Sequence, residues 1–344
     1  MTDPTRAFIC GCAGPTLSAD EIAFVRRWRP WGLILFRRNV ESPDQVSALT
    51  AAFRDVVGRD DAPVLVDQEG GRVQRLRPPH WPDYPAAARF AQAAAEPNRQ
   101  ERLARSGARL IAHDLRAVGI TVDCLPVLDT PAPGSHSIIG DRAYADEPDA
   151  VARLGRAAAE GLLAGGVLPV IKHVPGHGRA RADSHLELPV VDATLAELQA
   201  RDFAPFRANA DLPLAMTAHV VFTALDPDRP ATLSPLVVDR IIRGEIGFDG
   251  LLMSDDLSMK ALSGSFAART EALFAAGLDM ALHCNGDLGE AEAVAAASPV
   301  LSGRSAERAR HALSLIARPV APFDPAGVRA ALDAALADPV PATA

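Results

Sequence analysis

A chain of 344 residues, 48% hydrophobic and 5% aromatic, is long enough to bury a large core, as one barrel or as two ordinary domains. Its formal net charge is −8 and no run of Lys or Arg builds a basic stripe, which excludes nucleic acid and anionic membrane surfaces as partners. No apolar stretch reaches the roughly 20 residues of a spanning helix, and MTDPTRAFICGCAG lacks a basic region followed by a long apolar core, so no signal peptide is expected and the expected compartment is a reducing cytoplasm.

In chain order, short apolar runs alternate with Ala-rich segments of helical period. The strands are expected at 7–12, 32–36, 63–67, 120–125, 168–173, 212–219, 250–254 and 279–283. Between them, 44–57, 98–118, 149–164, 194–208, 235–246 and 266–276 place apolar residues at i, i+3 and i+4. Ser42-Pro43 marks one helix start, and Thr194 with Glu197 forms a capping box at another. The tail at about 304–336 adds two Ala-rich helical stretches, 305–317 and 324–336, expected to pack on the exterior. Eight strands alternating with helices predict a single (β/α)8 TIM-like barrel, an α/β fold of one domain spanning 1–344. A doubly wound open sheet is the alternative, but no GxGxxG follows the first strand. Of the cysteines, Cys10 and Cys12 are too close along a strand to bridge, and neither Cys124 nor Cys284 completes a CxxC pair.

In a barrel, the residues that follow the strands meet at one rim, where chemistry is built. Those residues include Arg37, Arg38 and Asn39, then Asp67, Gln68 and Glu69, Asp129, Lys172 and His173, His219, Asp255 and Asp256, and Asn285. Carboxylates directly after apolar strands make poor core, because an unpaired buried charge is unfavourable. The stretch LPVIKHVPGHGRARADSHLELP, residues 168–189, is the densest: it carries three of the nine histidines within thirteen residues and histidine moves protons near neutral pH. Lys172 is one of only two lysines, against an otherwise arginine-based positive charge, which points to a position that wants a compact ammonium.

Three constellations carry chemistry. In LLMSDDLSM one of Asp255 and Asp256 is a candidate nucleophile and the other caps the following turn or orients a neighbour, since adjacent strand residues face opposite ways. Asp183 stands two residues from His185, the arrangement in which a carboxylate fixes an imidazole as general acid/base, and Gly176 and Gly178 would let that loop swing. In DQEGGRVQR, Asp67 and Arg75 can bind hydroxyls or a carboxylate; Arg142 in IIGDRAY lies on a further loop. The competing reading is a metal-dependent hydrolase with ligands drawn from His173, His177, Asp183, His185 and His219.

DQEGGRVQR, IGDRAY, KHVPGHG with DSH after it, and GFDGLLMSDDLSM, in this order, resemble the single-domain bacterial β-N-acetylglucosaminidases of glycoside hydrolase family 3, over the chain from GLILF at Gly32 to HCN at His283. The resemblance implies a retaining enzyme that removes terminal non-reducing N-acetylglucosamine from muropeptides (GlcNAc-1,6-anhydro-MurNAc peptides) in peptidoglycan recycling. It assigns Asp255 as nucleophile, His185 as proton donor and acceptor with Asp183 as its partner, and Asp67, Arg75, Arg142, Lys172 and His173 as sugar-binding residues. No cofactor and no metal are implied, and a monomer is the favoured state. A histidine acid/base repels anions less than a glutamate does, so phosphorolysis stays open beside hydrolysis, and a glucosidase of the same family is the near neighbour. The chain departs from the family pattern at Val174, where an aromatic is usual, and at Arg179, with Arg181 close behind.

Overall fold

The eight expected strands close into a parallel barrel in the computed structural model, which describes residues 4–180, 182, 184, 187–317 and 319–337. The strands, in chain order, are β1 (Arg6–Cys10), β2 (Pro30–Leu35), β3 (Val64–Val66), β4 (Val122–Asp123), β5 (Leu168–Val174), β6 (Val190–Val191), β7 (Leu214–Thr217), β8 (Val221–Phe222), β9 (Leu251–Asp256) and β10 (Met280–His283). Around the barrel the order is β1, β2, β3, β4, β5, β7, β9, β10 and back to β1. The two left over, β6 and β8, pair with each other in the loops that follow β5 and β7.

Register explains why these residues are strands. Leu33 lies opposite Val64, Leu65 opposite Val122, Val122 opposite Leu168, and Leu214 opposite both Val170 and Leu251. Because side chains alternate along a strand, successive residues fall into two separate apolar clusters. Ile9, Leu65, Val170, Met253 and Leu282 belong to the barrel interior. Phe8, Val64, Ile171, Leu252 and Ala281 join the layer between sheet and helices.

The helices are α1 (Ala19–Trp28), α2 (Pro43–Val57), α3 (Ala88–Gln92), α4 (Pro97–Ala117), α5 (Pro148–Ala164), α6 (Leu195–Glu197), α7 (Ala204–Arg207), α8 (Phe266–Ala276), α9 (Leu288–Ala297), α10 (Gly303–Ile316) and α11 (Pro325–Ala337). Their ends follow the expected chemistry. The Ser42 hydroxyl accepts from the Gln45 N–H with Pro43 in the first turn, and Gly58 ends α2 at φ 68°. The single helix expected over 194–208 is instead α6, a π-helical segment Leu198–Asp202, and α7. Pro205 is the cause: it has no N–H for the Arg201 carbonyl one turn back. The 235–246 stretch is likewise π-wound over Val237–Glu245.

Two C-terminal helices complete the packing, one under the barrel and one on its exterior. Ala309 and Ala312 of α10 pack into the interior cluster from the N-terminal face of the strands. Asp279, at the start of β10 and 2% exposed, pins that helix: it accepts from Ser305 Oγ at 2.5 Å and Arg308 Nη1 at 3.0 Å, while Arg243 holds its other oxygen at 2.7 Å. α11 lies against α4 and buries Leu332. Among the described residues no helix is long and apolar enough to cross a membrane.

Candidate active site

Alternation carries the interior pattern up to the C-terminal rim, two residues at a time. Leu65 is followed by Asp67, Val170 by Lys172 and Met253 by Asp255, so three charged side chains succeed three core residues on the inward face. They border one cavity of about 360 Å3, to which Arg75, Arg142, His173, His177 and Ser184 also contribute.

One wall of this cavity is a chain of ion pairs. The Lys172 ammonium, 2% exposed, lies 2.8 Å from Asp67 Oδ1 and 2.6 Å from Glu69 Oε1. Arg75 Nη2 donates to Asp67 Oδ2 at 3.0 Å. Arg142 forks onto Glu69, Nε and Nη2 each donating at 2.8 Å. Burial alone would raise the Glu69 carboxyl, but Arg142 and Lys172 outweigh it and hold the group at about 2. Asp67 is held below the ordinary carboxylate range against the same burial by Lys172 and Arg75. Burial would lower the Lys172 ammonium, yet the two carboxylates raise it, so the cation stays charged. Burial pushes Asp123 well up; one of its oxygens accepts from the Gln68 N–H, and among the described residues the other has no hydrogen-bond partner.

A second wall is built on Asp129, fully buried. Its Oδ2 takes the Nδ1–H of His173 at 2.6 Å and its Oδ1 takes the His177 backbone N–H at 2.6 Å. The two rings meet edge to face at 5.7 Å. His177 Nε2 lies 3.2 Å from the Ser184 hydroxyl, and burial, with His173 beside it, lowers this imidazole to about 4. Gly176 and Gly178 do not supply slack here. Gly176 sits at φ 141° against Asp202, and a Cβ on Gly178 would lie 2.0 Å from the Thr130 carbonyl oxygen.

Asp255 and Asp256 both reach the cavity, contrary to strict alternation. Between Met280 and Leu282 of β10 the partner on β9 advances from Met253 to Asp256, so a bulge re-aims the strand end. Their surroundings still separate them. Asp256 accepts from Ser258 N at 3.0 Å, Ser258 Oγ at 2.5 Å and Cys284 N at 3.0 Å, and so holds the turn after the strand. Asp255 Oδ1 accepts from the Asp256 N–H at 2.8 Å.

The sequence-derived set thus divides. Asp67, Arg75, Arg142, Lys172, His173 and Asp255 border one cavity; Asp183 and His185 lie outside the described residues, while Ser184 between them borders that cavity too. The sequence marks Glu69 and Asp129 only as rim residues, although each anchors a wall; the second acid in DQE and the position of Asp129 after β4 are the signals. His219 is fully buried and does not line the cavity: its Nε2–H donates to the Asp256 carbonyl at 3.1 Å and its Nδ1 lies 2.8 Å from the Thr232 hydroxyl. Among the described residues no three His, Cys, Asp or Glu are grouped to hold a metal ion.

The sequence matches the family described as Glycosyl hydrolase family 3 N terminal domain over residues 18–314. A β-hexosaminidase of Methylococcus capsulatus is 42% identical over 297 residues, which cover 85% of this chain and 86% of the relative. One from Pseudomonas aeruginosa is 42% identical over 287 residues, covering 83% of each. The crystal structure of NagZ from Neisseria gonorrhoeae in complex with N-trifluoroacetyl-D-glucosamine superposes with a TM-score of 0.82 at 31% identity over 97% of both chains. A structure of that NagZ in complex with zinc ion superposes equally well.

Proposed function

The chain belongs to glycoside hydrolase family 3 as a β-N-acetylhexosaminidase, and from that premise we propose a retaining exo-enzyme that releases terminal non-reducing N-acetylglucosamine from GlcNAc-1,6-anhydro-MurNAc peptides in peptidoglycan recycling, in the cytoplasm. The observation that carries the reading is that Asp255 and Ser184 border the same cavity as the Arg75–Asp67–Lys172–Glu69–Arg142 chain of ion pairs. Ser184 is the chain neighbour of both Asp183 and His185.

In this mechanism Asp255 attacks the anomeric carbon while the imidazolium of His185 gives its proton to the departing glycosidic oxygen, and a covalent glycosyl-Asp255 forms. The now neutral His185 takes a proton from water, whose oxygen attacks the same carbon and frees Asp255. Two inversions give retention. Asp183 accepts the other ring N–H of His185 and stabilises its charged form. Asp67, Arg75, Arg142, Lys172 and His173 bind the sugar hydroxyls. Paired charges suit that task, because each ion pair fixes the direction of its neighbour's remaining donors.

The test uses a 5-fluoro N-acetylglucosaminyl fluoride, which slows both steps, followed by peptide mass spectrometry. An adduct on the peptide containing Asp255, lost in Asp255→Asn, is expected; an adduct elsewhere overturns the nucleophile. His185→Ala is expected to slow substrates with poor leaving groups far more than activated ones. Chromogenic N-acetylglucosaminide is expected to turn over faster than the glucoside, with a rate independent of phosphate.

A further inference from the structure

Ser184, the chain neighbour of Asp183 and His185, is tied to the sugar-binding rim. Ser184, 4% exposed, has its hydroxyl 3.2 Å from His177 Nε2. His177 is 3% exposed, and its Nδ1 is buried without a hydrogen-bond partner, so the Ser184 bond is the one hydrogen bond of this ring among the described residues. The His177 backbone N–H is held by the Asp129 carboxylate that also holds the His173 ring. The turn around His177 is stitched down as well: the Ala132 N–H donates to the Gly178 carbonyl at 3.1 Å and the His136 N–H to the Ala180 carbonyl at 2.8 Å. The His177 ring thus stands on a held turn, and among the described residues Ser184 is the one side chain hydrogen-bonded to it.

We propose that His177 and Ser184 are positioning residues for the acid/base step: His177, anchored to Asp129 together with the sugar-binding His173, holds Ser184 and thereby sets the reach of its two chain neighbours, Asp183 and His185, toward the leaving oxygen. The proposal rests on the assignment of His185 as acid/base. His177 stays uncharged near neutral pH because burial opposes its protonation, so the bond to Ser184 joins two neutral groups and does not compete for the proton in transit. Asp129 then serves two ends of one substrate, the sugar through His173 and the aglycone oxygen through His177 and Ser184.

The experiment compares 2,4-dinitrophenyl and 4-methoxyphenyl N-acetylglucosaminides on Ser184→Ala, His177→Ala, His177→Gln and His185→Ala, singly and with His177→Ala combined with His185→Ala. Loss of positioning is expected to lower kcat at least tenfold more for the methoxyphenyl substrate than for the dinitrophenyl one, with KM for the latter unchanged. His177→Gln, which keeps a donor near the Nε2 position, is expected to recover most of the loss. In the double variant, removing His177 after His185 is expected to cost no further selectivity, because the group it positions is gone. Equal losses on both substrates in Ser184→Ala and His177→Ala, beside a selective loss in His185→Ala, overturn the positioning role alone. A flat response in His185→Ala overturns the acid/base assignment and the positioning role with it. His177→Ala can fail to fold; Ser184→Ala, which deletes one oxygen, then decides by the same comparison.

Discussion

The Lys172 ammonium lies 2.6 Å from a Glu69 carboxylate oxygen, with the two side chains 2% and 3% exposed. Glu69 also receives both arms of Arg142, so its removal leaves two buried cations short of a partner. Glu69→Ala is expected to destabilise the fold by about 3–5 kcal/mol, the range for breaking a buried pair from one side, and to raise KM for the sugar as Arg142 loses its direction. Urea unfolding within about 1 kcal/mol of wild type would remove Glu69 from this role.

The same carboxyl sets an acid limit. Its value falls from an ordinary 4.5 to about 2 in the fold, so the folded state holds its proton less tightly than the unfolded chain does. The stabilisation is therefore complete above 4.5 and is lost as pH falls toward 2, by on the order of 3 kcal/mol. Wild type is expected to lead Glu69→Gln in unfolding free energy by a margin that shrinks over this window; a margin that widens on acidification contradicts it.

Asp202 behaves in the opposite sense. It accepts from Arg179 Nε at 2.7 Å, but burial outweighs Arg179 and Arg201, with Asp129 adding repulsion, and raises the carboxyl from 3.8 to about 6. Its contribution to stability is thus present in full below 3.8 and declines as pH rises through 6. Asp202→Asn is expected to gain on wild type between pH 4 and pH 7, measured by urea unfolding at each pH. A gap that stays constant, or moves against the variant, would show that the Arg179 pair dominates.

Asp129→Asn keeps the shape of the side chain and removes its charge. The hydrogen bonds to the His173 ring and to the His173 and His177 backbone N–H groups weaken together, and a charge-assisted bond contributes about 1.5–3 kcal/mol. KM for N-acetylglucosaminides is expected to rise about tenfold, with a steeper dependence on leaving group in the same variant. An effect on KM alone would separate the two histidines.

At the far end of the barrel, Asp279→Ala is expected to lower stability by about 3 kcal/mol, because Arg243 loses its carboxylate while Arg308 keeps Asp249. Neither KM nor kcat is expected to change at a temperature where the variant stays folded. A change in KM with unaltered stability would mean that the floor and the rim communicate.

Much of this was legible before any coordinates. Asp67, Lys172 and Asp255 each stand one alternation step beyond a core residue, and that spacing alone puts them at a rim. Pairing was not legible. Glu69 and Asp129 show as polar residues near strand ends, but which cation each one meets depends on loop paths that strand periodicity does not encode. Helical period likewise marked 194–208 as one helix, and Pro205 broke its winding. Gly176 and Gly178 look like freedom in a sequence, whereas in the fold their missing side chains admit Asp202 and Thr130 at close range.

The barrel is filled with Ile9, Leu65, Val170, Met253 and Leu282 and packed from below by α10, so among the described residues the cavity at the rim has solid core beneath it. Whatever occupies the depth of the cavity went in first and comes out last. Under the proposed exo mode, with the terminal sugar seated against that floor, the cleaved-off portion departs before the monosaccharide can follow, and the enzyme lets go completely between one substrate molecule and the next.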